Sequence, residues 1–513
     1  MRKITAVLMA LALALSLFAC GGEPVQDETP GSDIQQGTVI LPKPQEDNEG
    51  GDSHNGEYPS AQDPLPQKPG DTKKPEEPDK AEDGKNPGKN EDNAQTPAED
   101  PKQEENNNNN NGDNATTPSD TKVPSGEYRA VWISYLELGG VLTGKTARQF
   151  RSNIGAAYDN VKNLGCNTVI VHVRPFGDAL YDSDYFPSSY LITGTEGDNL
   201  PFDPLKIMVE EAHNRGLTFE AWLNPYRVIS RTPLSQAKYL ATLDPKNFAR
   251  RNPDLVLAAP VGKKELSLFL DPGDPRVVRF IRAVVREIAV GYPVDGIVFD
   301  DYFYPYSGTG NIDAETYRKY NPKGLPVAVW RRENVNAVIR GVKEELTAVN
   351  RATGRRVVFG VSPFGIWGNK RDLMSGSLTG GKQSFLAQYA DSRTWVKEGW
   401  VDYISPQLYW PFCHEVAAYA ALADWWGEVV RGTRVNLYIS QGAYRLGSGR
   451  AWRASELTDQ LLYNQKNPEI RGTIFFSYRS IFSPSNAVMK EGVTRVLRDC
   501  WRVPALPPAP RNL

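Results

Sequence analysis

From Tyr128 onward the chain alternates short apolar runs with longer stretches in which apolar residues recur every three or four positions. The first pattern is that of buried strands and the second that of amphipathic helices. The runs lie at 129–135, 167–174, 218–224, 294–300, 357–362, 402–409, 435–441 and 472–478. Strands separated by helical segments make a parallel sheet, and eight of them predict a closed (β/α)8 TIM-type barrel rather than an open doubly wound sheet. After the second run the helix signals agree: Asp203 can cap the free N–H groups, Pro204 suits the first turn, and Gly216 suits a left-handed exit. Its Leu205, Met208, Val209 and Ala212 fall on one face, which predicts packing on the barrel. Between the third and fourth runs, 255–257 and 266–271 are further apolar stretches and predict an extra hairpin beside the barrel mouth.

The pattern is absent from 21–125, where Pro, Asn, Asp, Glu, Lys and Gly crowd together and large apolar residues are scarce. Such a segment cannot bury enough apolar surface to offset the entropy of ordering it, so a disordered tether is expected. As a flexible coil, about 105 residues would reach on the order of 55 Å. Ahead of it, Arg2 and Lys3 precede an apolar run at 4–18 that is short for a membrane span and matches a secretory signal. Leu17-Phe18-Ala19-Cys20 then resembles a lipobox, which implies cleavage before Cys20 and lipid attachment to it. The expected organisation is a signal at 1–20, a linker at 21–125, a barrel at 126–500 and a tail at 501–513, in an exported monomer anchored to the bacterial cell membrane.

A formal net charge of −3 offers no basic stripe for nucleic acid. Of the four cysteines, Cys166, Cys413 and Cys500 lack CxxC spacing, and Cys166 and Cys500 read as packed thiols. His172 lies within a strand, His213 on a helix and His414 in a loop, at no metal-ligand spacing, and there is neither a nucleotide loop nor a Gly-x-Ser-x-Gly elbow. No cofactor and no metal are expected.

A barrel of this kind builds its site at the C-terminal ends of the strands. Those ends carry Arg174 and Asp178; Asn224, Tyr226 and Arg227; Asp300, Asp301, Tyr302 and Tyr304; Trp367; and Gln407, Tyr409 and Trp410. Aromatic faces among amide, hydroxyl and carboxyl groups suit a sugar, whose C–H faces stack while its hydroxyls need hydrogen-bond partners.

The blocks NTVIVHVRPFGDALY (167–181), EAWLNPYR (220–227), LDPG (270–273), VDGIVFDDYFYP (294–305), VSPFGIW (361–367) and DYISPQLYW (402–410) resemble, in this order, the glycosyl hydrolase-like 10 proteins, bacterial barrels classed with glycosidases. The resemblance implies a (β/α)8 fold and activity on cell-surface glycans, peptidoglycan first among them for a tethered exported protein. The 294–305 block is also similar to the acidic strand of chitinase-type barrels, but Tyr302 stands where those enzymes carry their catalytic Glu. A direct transfer of their acetamido-assisted mechanism is therefore not expected, although Asp301 could supply the proton and Tyr409 could steady the acetamido group.

Glycoside hydrolysis uses a protonated carboxyl and a second group at the anomeric carbon, and Asp300 with Asp301 are the candidates. Unless the backbone turns there, alternation on a strand lets only one of them face the sugar. The competing reading of the pair is loop capping or cation holding. Asp295 and Asp402 open their strands at the opposite face and read as structural. Arg174 with Asp178 either forms a loop-fixing ion pair or touches substrate. The remaining strand-end residues named above are expected to line the site. An alternative at the level of the whole protein is a noncatalytic glycan-binding barrel, and a third is a transglycosylase using the same carboxyls.

Overall fold

The computed structural model describes residues 126–508. The expected signal at 1–20, the expected lipidation site Cys20 and the expected linker at 21–125 lie outside the described residues. Among the described residues eleven strands occur in chain order: β1 (Tyr128–Ile133), β2 (Thr168–Arg174), β3 (Thr218–Leu223), β4 (Arg227–Thr232), β5 (Val256–Val261), β6 (Glu265–Leu270), β7 (Gly296–Phe299), β8 (Val358–Val361), β9 (Tyr403–Ile404), β10 (Asn436–Gly442) and β11 (Ile470–Phe476). Eight close into a barrel in the order β1-β2-β3-β7-β8-β9-β10-β11, each pair parallel, with β11 returning to β1. Every expected strand is present, and helices cover the outside.

Alternation along the strands separates two cores. Val169, Val171 and Val173 of β2 join the helices in the outer core, whereas Ile170 packs with Trp132, Trp222 and Val298 inside the barrel. The helix Pro204–His213 starts where expected, with the Asp203 carboxylate accepting from the Lys206 N–H, and Gly216 takes a positive φ of 70°. At the floor of the barrel the buried Glu220 accepts hydrogen bonds from Tyr128 Oη at 2.8 Å and Tyr403 Oη at 2.5 Å, and Tyr128 stacks on Tyr438. A side chain on Gly360 would meet the Tyr403 ring, its Cβ only 1.9 Å from Tyr403 Cζ, so only glycine admits the tyrosine there. Asp295 and Asp402 are structural, as expected: each accepts the main-chain N–H of a neighbouring strand (Phe219 and Phe359) and a cationic or imidazole partner (His213 and Lys343).

One expectation is corrected. The extra hairpin is a three-stranded antiparallel sheet, because β4 adds to β6 in the order β4-β6-β5. RVISRT is too polar to read as a strand by itself; pairing with β6 supplies what its own sequence lacks. At the other end, in the segment expected as a tail, Trp501 packs on Phe475 and the Ala505 carbonyl accepts from Asn167 Nδ2 at 2.9 Å. Cys166, Cys413 and Cys500 are free thiols.

Candidate active site

β7 ends at Phe299, and the chain leaves the extended conformation at Asp300. The Tyr302 N–H turns back to Asp300 Oδ1 at 3.4 Å and the Phe303 N–H to the Asp301 carbonyl at 3.1 Å. This is the backbone turn that frees Asp301 from strand alternation. Both carboxyls consequently face the barrel mouth, Asp300 towards Trp222 and Asn224, and Asp301 towards the Gln407 side chain.

Their surroundings differ. Asp300 Oδ2 accepts from Trp222 Nε1 at 3.1 Å and from Asn224 Nδ2, and the Arg227 guanidinium also favours its charge. Asp301 has the Gln407 donor but also faces the negative charge of Asp300. Burial raises both carboxyls above the ordinary range, and repulsion from Asp300 raises Asp301 further. The two carboxyls therefore sit in unequal surroundings, Asp300 with the larger set of donors and Asp301 with the added repulsion of its neighbour. Tyr409, half-buried, lies close enough to feel both charges.

Around the pair, Arg227 Cζ lies 3.9 Å from the centre of the Tyr302 ring. Tyr302, Tyr306, Phe364 and Trp410 follow one another in edge-to-face contacts at 5.8, 6.0 and 5.4 Å, an aromatic line across the mouth. At one end of it a small, solvent-open cleft of about 70 Å³ separates the β4-β6-β5 sheet from the 302–307 loop, with Arg227, Ser230, Phe269, Tyr302 and Tyr306 among its walls. No grouping of three or more His, Cys, Asp or Glu side chains among the described residues could hold a metal ion.

The model of the family described as glycosyl hydrolase-like 10 matches residues 127–455, more than half of the chain. This chain belongs to the glycosyl hydrolase-like 10 family. As a member of it, the protein is a glycosyl hydrolase, and a glycan is its class of substrate. The chain is 41% identical over 330 residues to the glycosyl hydrolase DigH of Escherichia coli K12, an alignment covering 62% of this chain and 73% of that one. With the glycosyl hydrolase YngK of Bacillus subtilis it shares 36% over 365 residues, 69% of each. In structure it is similar to the PgaB (BpsB) glycoside hydrolase domain of Bordetella bronchiseptica, with 15% identity and a TM-score of 0.46 over 71% of this chain and 98% of that one. The glycosyl hydrolase-like 10 match stops before β11, the strand that completes the barrel.

In this glycosyl hydrolase-like 10 barrel, Tyr302, Gln407, Tyr409 and Trp410 are half-buried at the mouth. Tyr226, Tyr304 and Trp367 are each at most 3% exposed and make their ring contacts within the loops. Tyr304 packs between Phe269 and Tyr389, Trp367 packs on Phe385 and donates to Asp391, and Tyr226 packs on Phe303. Loops long enough to build a site need cores of their own, and these rings supply them. Arg174 is likewise turned inward, donating to the main-chain carbonyls of Phe176 and Asn224 instead of closing an ion pair with Asp178. Asp178 is buried near Ser189, and burial pushes its carboxyl up to about 6. Asn224 and Arg227 are buried against the carboxyl pair.

Sequence reasoning missed His172 and Trp222. They are paired in register on β2 and β3, and their rings stack 3.3 Å apart at 12°. The available signal was parity: His172 shares the inward side of β2 with Ile170 and stands two residues before the strand's end.

Proposed function

We propose that the protein cleaves O-glycosidic bonds in a cell-surface glycan, peptidoglycan or a related 2-acetamido-sugar polymer, with Asp301 as general acid and Asp300 as its ionised partner. The observation that carries this reading is the unequal environment of two adjacent carboxyls at one barrel mouth. A general acid must hold its proton at working pH, and a buried carboxyl facing a second negative charge does so. Asp301 gives its proton to the leaving oxygen as the glycosidic bond breaks. Asp300, held by N–H donors, stabilises the positive charge that develops at the anomeric carbon, and water completes the hydrolysis. Tyr409 stands where it can orient the acetamido group. Tyr302, Gln407 and Trp410 line the substrate path, with the aromatic line and cleft taking neighbouring sugars of a polymer. Arg227 steadies the charge of the pair from beside Tyr302.

The location belongs to the same proposal. Lipid on Cys20 would hold a monomeric enzyme at the bacterial membrane, outside the cytoplasm, and the 21–125 segment would let the barrel reach glycan beyond the bilayer.

Incubating the protein with peptidoglycan, with the same glycan stripped of its stem peptides, and with chitin oligomers tests the reading. Product masses should show shorter saccharides gaining one water per cleavage. Intact polymer in all three, with Asp301→Asn no different from the wild type, would overturn it.

A further inference from the structure

We propose that His172 is a positioning residue: through Asn224 it holds the Asp300 carboxylate in its working orientation. The inference rests on the reading of Asp300 given above and extends it to a residue that touches no substrate.

The argument begins at a group whose role is fixed. A main-chain N–H can only donate, and the Tyr135 N–H lies 3.4 Å from His172 Nδ1. Nδ1 is therefore the acceptor, and in the neutral ring Nε2 carries the proton. Nε2 lies 2.9 Å from Asn224 Oδ1, so the imidazole donates there. With its oxygen engaged by His172, the Asn224 amide presents Nδ2 to Asp300 Oδ2. Each link thus sets the direction of the next, from a backbone amide on one side of the barrel to a carboxylate on the other. Burial and the nearby Arg227 and Arg174 cations keep the imidazole neutral, which preserves its acceptor nitrogen.

His172 also fixes the second donor. Its ring lies flat on Trp222, and Trp222 Nε1 donates to the same Asp300 oxygen at 3.1 Å. Without the imidazole donor, the Asn224 amide is free to rotate by half a turn and set its oxygen against the carboxylate. Asp300 would then lose one donor and meet a repulsive dipole.

The stack and the hydrogen bond can be separated. His172→Phe keeps a flat ring on Trp222 but cannot donate to Asn224, whereas His172→Gln can offer an amide N–H near the position of Nε2. Of the charged and titratable groups around Asp300, namely Arg174, Arg227, Asp301 and Tyr409, none is altered by either substitution.

The test measures kcat, KM and the pH profile on soluble glycan fragments, together with a carbon NMR titration of labelled aspartate carboxyls in which Asp300→Asn identifies the Asp300 signal. His172→Phe is expected to lower kcat roughly 10- to 100-fold with little change in KM. It should also raise the pH at which Asp300 titrates, and His172→Gln should restore much of both. Wild-type kcat and Asp300 titration in the Phe variant would overturn the proposal, as would equal loss in Phe and Gln variants. If His172→Phe does not fold, His172→Asn, too short to reach Asn224 from the Nε2 side, takes its place with the same expected and overturning results. Because the NMR arm needs no turnover, a wild-type protein that cleaves no glycan would sink the proposed function while the effect of His172 on Asp300 was still read.

Discussion

Asp300 and Asp301 are consecutive in the chain and meet unequal electrostatic surroundings. Asp300 receives the N–H groups of Trp222 and Asn224, while Asp301 faces Asp300 itself with Gln407 as its donor. Removing the proton of the second should stop the chemistry without disturbing the fold. Asp301→Asn is expected to lower turnover roughly 10²-fold or more while leaving glycan affinity nearly unchanged, checked by steady-state kinetics beside equilibrium binding. Asp300→Asn should also lower turnover. Full activity in both variants would move the chemistry elsewhere in the mouth.

The same pair sets the pH dependence. With the proposed roles, activity needs Asp300 ionised and Asp301 protonated, so it should be lost at low pH when both hold protons and at high pH when neither does. Both limbs of the bell should lie above the ordinary aspartate value of about 3.9, because burial raises each carboxyl. They report the pair jointly rather than one residue each. The Arg227 cation lowers both, so Arg227→Met should move the whole bell to higher pH, and an unmoved profile of kcat/KM would count against this assignment.

Glu220 makes stability depend on pH in a direction that can be stated beforehand. Burial pushes its carboxyl up to about 7 from 4.5, so the folded state holds the proton more tightly than the unfolded one. Its contribution is complete below the unfolded value and is lost as pH rises through about 7. On the scale of 1.4 kcal/mol per pKa unit this amounts to about 3–4 kcal/mol at most. Glu220→Gln, neutral at every pH, should flatten the fall in melting temperature between pH 4.5 and 8. Parallel melting curves for the two proteins across that range would refute the account.

Gly360 tests the barrel floor by size alone. Gly360→Ala would drive a methyl into the Tyr403 ring, which is fixed by Glu220 and packed against Tyr128 and Tyr438. A loss of roughly 1–3 kcal/mol or more is expected in urea unfolding. A midpoint within error of the wild type would show that the ring can move aside.

For the proposed anchor, Cys20→Ala should release the protein from membranes and abolish lipid labelling, with activity on soluble glycan unchanged. Continued lipid labelling would refute the lipobox reading.

The barrel was legible along the chain because each strand advertises itself locally. Runs such as 167–174 and 294–300 are apolar on both sides, since one face packs on helices and the other on the barrel interior. The position of the carboxyls at the end of a run followed from the same pattern. What the pattern could not contain was partnership across the barrel: His172 meets Asn224 52 residues away, Trp222 meets Asp300 78 residues away, and Glu220 meets Tyr403 183 residues away. Nor could it tell an aromatic ring that lines a mouth from one that fills a loop, as Tyr226, Tyr304 and Trp367 show. Sequence by itself determined the strands, their order and the end of the barrel where the acids stand, because burial leaves a periodic mark on neighbouring residues. Tertiary structure alone decided how unequal the surroundings of the two acids are, because that depends on the turn after Phe299 and on charges and donors brought together from separate strands and loops.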